Sequence, residues 1–107
     1  MNICLFLFLI YIHYYFSSLK HESIIEQLDF IQEIPAIVME FAERGNLNNF
    51  LIQQQKPIDW ITRMKWAMQL SNAVVFLHEK RIIHRDLRCA NILVTKDLDV
   101  KISGLIS

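Results

Sequence analysis

Glycine and proline are nearly absent from this chain of 107 residues, with two of each. That excludes a flexible Gly/Ser linker and any low-complexity tract. Two cysteines, Cys4 and Cys89, lie far apart without a CxxC pair, so neither a disulfide framework nor a zinc site is expected, and a reduced cytoplasmic setting is the default. Charge of one sign is lacking too. Eleven Lys and Arg balance eleven Asp and Glu, which leaves no basic excess for nucleic acid and no acidic solvating tail. The length allows one small domain.

What the chain has in excess is apolar residues, at 53%, and they crowd the N-terminus, MNICLFLFLIYIHYYF, which holds no Lys, Arg, Asp or Glu. Roughly sixteen helical residues fall short of the ~30 Å hydrocarbon core. A secretory signal would need a positive residue near Met1 and a cleavage site clearer than Ser17 and Ser18. Residues 1–18 are therefore set apart as an apolar segment, buried or outside the folded unit. Membrane association through residues 1–16 is the alternative.

From Leu19 the pattern is that of a globular α+β domain. Alternation over 24–31 predicts a strand, the segment Gln32-Glu33-Ile34-Pro35 breaks it, and Ala36 to Phe41 predicts a second, antiparallel strand. After Gly45, residues 46–55 suit a short helix. Asp59, behind Pro57, is an N-cap for a long helix. Trp60, Met64, Ala67, Leu70, Val74 and Leu77 recur at steps of three and four and are expected to form its buried face, with Arg63, Lys65, Gln69, Asn72 and Glu79 toward water. Ile92-Leu93-Val94 and Val100-Lys101-Ile102 predict a hairpin around a turn at 96–99.

The chemistry is concentrated at His84-Arg85-Asp86-Leu87-Arg88-Cys89-Ala90-Asn91, which resembles the H-R-D-L-x-x-x-N catalytic loop of protein kinases. The resemblance implies Asp86 as the carboxylate that orients a hydroxyl and accepts its proton. Asn91 becomes a magnesium ligand that adds no charge, and Arg88 a cation that offsets charge on the transferring phosphoryl group. His84 and Arg85 are expected to position the loop rather than react.

The likeness extends upstream. Residues 19–25 look like the segment after the small-lobe helix of kinases, and Ile37-Val38-Met39-Glu40-Phe41-Ala42-Glu43-Arg44-Gly45-Asn46-Leu47 resembles the fifth strand, hinge and next helix. By that match Met39 is the gatekeeper. The Glu40 carbonyl and backbone groups of Ala42 would bond adenine, and Leu93 would lie beneath the ring. Residues 19–103 are thus expected to form a partial kinase fold, with 104–107 as a tail. The elements are a strand hairpin, hinge, short helix, long helix, catalytic loop and small hairpin. ATP, magnesium and a protein substrate are the implied partners.

HRDLRCAN is similar to the HRDLRAAN loop of Src-type tyrosine kinases. Asp59-Trp60 and Leu77-His78 look more like tyrosine-kinase-like serine/threonine enzymes such as the mixed-lineage kinases. The acceptor hydroxyl stays open between serine, threonine and tyrosine. The chain departs from the family in having no glycine-rich loop and no lysine in its first sixteen residues. Lys101-Ile102-Ser103 should also lead into Asp-Phe-Gly, but Ser103 is followed directly by Gly104-Leu105, as though Asp-Phe had been lost. These departures predict that this chain alone transfers no phosphate, and that it is a shortened active kinase. Alternatives are a degenerate kinase-like binding module and a small membrane-anchored protein. An unpartnered apolar helix face predicts marginal stability and association.

Overall fold

The computed structural model describes residues 3–34 and 36–104, and in the first helix the side chains at positions 3, 7, 10, 11 and 14–16. Pro35, placed at the break between the two strands, and residues 105–107 of the expected tail lie outside the described residues. Helix α1 (Ile3–Phe16) is followed by strands β1 (Gln27–Ile31) and β2 (Ala36–Met39), then helices α2 (Leu47–Gln53) and α3 (Trp60–Glu79). A 3-10 turn (Cys89–Asn91) then leads into strands β3 (Ile92–Val94) and β4 (Val100–Ile102). Each strand pair is its own two-stranded antiparallel sheet. The mixed α+β order agrees with a partial kinase fold.

α1 packs against β1 and β2. Its fourteen residues span about 21 Å, and no described helix is long and apolar enough to cross a membrane.

The first strand starts later than alternation suggests. β1 begins at Gln27, not at residue 24, and its register against β2 slips between Gln27 and Asp29. The preceding residues serve another neighbour: Ile25 N–H donates to the Ile102 carbonyl at 2.9 Å, and Ile102 N–H to Ser23 at 2.8 Å. Ile24 is thereby buried beside β4. β2 stops at Met39, because beyond Glu40 the chain turns toward β3, where Arg44 N–H meets the Val94 carbonyl and Val94 N–H that of Gly45. Gly45, at φ +72°, makes the turn, a left-handed conformation that costs least in glycine.

Capping fixes both later helices. The Asn46 side chain accepts from Asn49 N–H at 2.8 Å and that of Asp59 from Thr62 N–H at 2.7 Å. Each satisfies an orphan donor of a first turn. The Thr62 bond also holds the Asp59 carboxyl below its ordinary value.

Which face of α3 is buried differs from the expectation. Trp66, Ala73 and Leu77 are buried, with Leu70 and Val74 partly so, whereas Trp60, Met64 and Ala67 face outward. Residues 66, 70, 73 and 77 make one stripe at steps of four and three, and 60, 64 and 67 make a neighbouring one. Both are apolar, so spacing alone could not choose. Polar bonds decide: Trp66 Nε1 donates to the Leu98 carbonyl at 2.8 Å. Gln69, expected to face water, donates to Asp99 at 2.8 Å and accepts from Val100 N–H at 3.0 Å.

Two clusters form the core. Leu19, Ile24, Ala73, Leu77, Ile82 and Ile102 make one, and Leu47, Trp66, Ile92, Val94 and Val100 the other, with Leu70 touching both.

Two predictions follow from these contacts. The Gln69 bond, aided by Lys65 at 3.2 Å, holds the Asp99 carboxyl below its ordinary value against a smaller opposing effect of burial. A group lowered in the folded state stabilises above its unfolded value of about 3.9 and loses that contribution as pH falls through the folded one. Urea midpoints should therefore be level above about pH 5 and decline below about pH 4, less steeply in Asp99→Asn. The exposed residues Trp60, Ile61, Met64 and Met68 should drive concentration-dependent association. Sedimentation velocity should show it relieved in a Met64→Glu, Met68→Glu double variant without a fall in melting temperature.

Candidate active site

The catalytic-loop candidates come together. Asn91 Nδ2 donates to the Asp86 main-chain carbonyl at 2.9 Å and to Asp86 Oδ2 at 3.1 Å, while Arg88 Nε lies 3.3 Å from Asp86 Oδ1. One carboxylate thus receives an amide hydrogen and a guanidinium, and its side chain remains 44% exposed, open to an incoming hydroxyl. The five-residue spacing works because Cys89–Asn91 is a turn of 3-10 helix closed by Asn91 N–H on the Arg88 carbonyl at 2.9 Å. That turn folds Asn91 back over Asp86. Cys89 itself is a free, exposed thiol.

A strained residue stands just before Asp86. Arg85 has φ +71°, which costs a non-glycine residue about 1–2 kcal/mol. His84 offsets it from both ring nitrogens. Asp86 N–H donates to His84 Nδ1 at 3.1 Å, and Nε2 lies 2.6 Å from the Ser103 carbonyl. An Nδ1 that accepts leaves Nε2 as the nitrogen that donates to the Ser103 carbonyl. Ser103 returns to the loop, with its N–H on the Asn91 carbonyl at 2.8 Å and its hydroxyl on the same oxygen at 3.1 Å. Ser103 had no role in the sequence reading, since nothing in one sequence pairs positions 84 and 103.

Gly104 follows where an acidic residue was looked for. It has φ +77°, and a Cβ built there would sit 2.8 Å from both Cγ and Oδ1 of Asn91. A side chain at 104 would displace the Asn91 amide.

The hinge candidates gather at the other end of the hairpin. Glu40 N–H donates to the Glu26 carbonyl at 2.9 Å. Its carboxylate accepts Glu26 N–H at 2.8 Å through Oε1 and meets Lys101 Nζ at 2.9 Å through Oε2. Ala42 is buried, its carbonyl accepting Gly45 N–H at 3.2 Å. The Glu40 carbonyl and the Ala42 N–H have no hydrogen-bond partner among the described residues. Met39, the gatekeeper candidate, ends β2 opposite Gln27 and is partly exposed. Leu93, half-buried, lies in the middle of β3 and pairs with Lys101. It stands two residues after Asn91, about 7 Å along the chain, so the adenine-floor candidate follows directly on the catalytic-loop candidates.

A magnesium ion needs oxygens. Among the described residues no group of three His, Cys, Asp or Glu side chains could hold a metal ion. The Asn91 amide turns its nitrogen to Asp86 and its oxygen toward Gly104, which leaves that oxygen and the Asp86 carboxylate as the candidate ligands. That pair suits a magnesium ion that brings phosphate oxygens and water with it, not a protein cage.

Comparison with known proteins agrees with the architecture. A family model described as "Protein tyrosine and serine/threonine kinase" matches residues 10–105, and the chain belongs to that protein kinase family. It is 37% identical over 100 residues to PTI1-like tyrosine-protein kinase 1 of Arabidopsis thaliana, covering 81% of this chain and 28% of the relative. Serine/threonine-protein kinase PLK4 of Aedes aegypti is 36% identical over 89 residues, covering 81% and 12%. Serine/threonine-protein kinase PBL36 of Arabidopsis thaliana is 33% identical over 94 residues, covering 83% and 20%. The chain thus spans less than a third of the length of these relatives, and their names divide between tyrosine and serine/threonine kinases.

The bracing by His84 yields a prediction. His84→Ala removes two bonds from a half-buried loop and should lower stability by about 1–3 kcal/mol in urea denaturation. Arg85→Gly in that background should restore part of the loss by relieving the left-handed backbone.

Proposed function

We propose that these residues are the hinge and catalytic-loop part of an ATP-dependent kinase acting on a serine, threonine or tyrosine hydroxyl of a protein. The observation that carries this reading is the Asp86–Asn91 pair on a loop that runs directly into the strand beneath the hinge. Adenine would lie over Leu93 with its amino group on the Glu40 carbonyl and a ring nitrogen on Ala42 N–H, Met39 bounding the inner edge. Asp86 would accept hydrogen from the substrate hydroxyl as that oxygen bonds to the γ-phosphorus. The bond from that phosphorus to the β-phosphate bridging oxygen breaks, ADP leaves, and the proton passes to Asp86. Magnesium, when bound, supplies charge neutralisation on the phosphates. Arg88 adds positive charge beside Asp86. ATP chemistry and the free Cys89 thiol suit a cytoplasmic setting.

A chain of these residues alone should bind ATP weakly and transfer nothing, since the family's phosphate-binding lysine and Asp-Phe-Gly acid have no counterpart in them. A second reading, a kinase-like binding module without turnover, is favoured by Gly104 packed on Asn91 in the acid's place.

A chimera separates the two. Residues 19–103 exchanged into PTI1-like tyrosine-protein kinase 1, which would supply the remaining parts, should support radiolabelled phosphate transfer from ATP. Asp86→Ala should reduce turnover by about 10²- to 10⁴-fold with nucleotide binding largely retained. Equal turnover in that variant would sink the assignment of Asp86, and a folded chimera that binds ATP without transfer would favour the binding module.

A further inference from the structure

Lys101 lies at a place where a lysine is not needed for packing. On β4 its neighbours Val100 and Ile102 point into the core and are fully buried. Alternation sends Lys101 to the opposite face, where its partner across the hairpin is Leu93. Directly opposed residues of an antiparallel pair project to the same side, so Lys101 shares a face with the residue set under adenine. The ammonium is far from free there. Its side chain is 20% exposed and meets Glu40 Oε2 at 2.9 Å, Glu40 being 27% exposed. Sixty-one positions separate the two in sequence, so the contact is a tertiary tie between the floor of the cleft and the hinge. The other carboxylate oxygen of Glu40 accepts Glu26 N–H, and its main-chain N–H donates to the Glu26 carbonyl. Three atoms of Glu40 are held, two by Glu26 just ahead of β1 and one by Lys101 of β4, and its carbonyl is the polar group without a described partner.

We propose that Lys101 is a positioning residue that sets purine specificity. By clamping Glu40 it fixes the hinge carbonyl over Leu93, so that the cleft selects adenine over guanine. The inference rests on the reading of adenine at the hinge given above. The chemistry is simple. Adenine presents an amino donor to a carbonyl at that position, whereas guanine presents a second carbonyl oxygen. Two acceptors facing each other lose a bond each and repel, and a site built to receive a donor rejects a ligand that lacks it. Rejection requires the protein carbonyl to stay in place. A hinge released from β4 could rotate its peptide and tolerate either purine.

The test uses the 107-residue chain, titrated by NMR with ATP, GTP and inorganic tripolyphosphate. The unaltered chain and Lys101→Arg should prefer ATP to GTP. Lys101→Met should lose about tenfold in ATP affinity, the scale of one hydrogen bond, with the ATP-to-GTP ratio falling toward one and tripolyphosphate binding unchanged. Glu40→Gln keeps an acceptor for Glu26 N–H while removing the ion pair, and should shift the ratio in the same direction even if Lys101→Met fails to fold. A merely structural role would weaken all three ligands alike and leave the ratio intact, which would overturn the inference but not the hinge reading. If the unaltered chain binds ATP no better than tripolyphosphate, the hinge reading itself is wrong and the inference goes with it.

Discussion

Burial of one face of the β3–β4 hairpin against α3 is the constraint on which the site depends. Val94, Val100 and Ile102 are completely shielded, and each such side chain contributes about 1.5–3 kcal/mol. A one-residue slip of either strand would turn these residues to solvent and bring Leu93 and Lys101 into the core. The register is therefore strongly specified, and it determines which residues face away from α3. The polar ties from Trp66 to Leu98 and from Gln69 to Asp99 and Val100 fix where along the helix the hairpin sits. Asn91, immediately before β3, inherits its position from that docking.

The loop before Asn91 is held differently, by polar bonds rather than by volume. His84 grips the Asp86 N–H on one side and the Ser103 carbonyl on the other, and Ser103 in turn grips Asn91. The ring closes from residue 84 through 103 to 91 and back through Asp86 to 84. Such a ring can hold Arg85 in a left-handed conformation because each bond restrains the next. Aiming of the Asp86 carboxylate is thus a property of the network and not of its rotamer alone.

Much of this was legible in sequence where local chemistry is strong. Asp59 declares its helix because a short carboxylate ahead of an apolar run has few other uses, and the hairpin at 92–102 follows from two triplets with β-branched residues at both ends, set around a polar turn. The candidate catalytic loop is legible because five fixed residue types in eight positions leave little room for coincidence. The buried face of α3 was not, since the helix is apolar on two adjacent stripes and only the partner strands choose between them. Nor was the start of β1: Ile24 and Ile25 alternate as strand residues do, yet the backbone bonds on either side of Ile24, at Ser23 and Ile25, go to β4. Gln69 and Lys101 escaped for a common reason. Gln69 was assigned to water and Lys101 only to a strand, but their partners lie 30 and 61 positions away, a distance that residue periodicity cannot span.

The contact between Gly104 and Asn91 bears on how charge is distributed in the site. A kinase of the usual pattern places a carboxylate after the strand that β4 represents, and that acid shares the metal with the asparagine. Here φ +77° and a 2.8 Å approach to the Asn91 amide leave room for hydrogen alone at residue 104. Negative charge around Asn91 then comes from Asp86, and that carboxylate is already bonded by Asn91 Nδ2 and Arg88 Nε. A magnesium ion entering beside Asn91 would compete with Arg88 for the same oxygens, and two cations drawn to one half-exposed carboxylate repel each other. Phosphate oxygens would have to supply most of the metal's coordination. On the proposed reading, metal affinity here would be tied to the nucleotide to a degree that a second acidic side chain would relax.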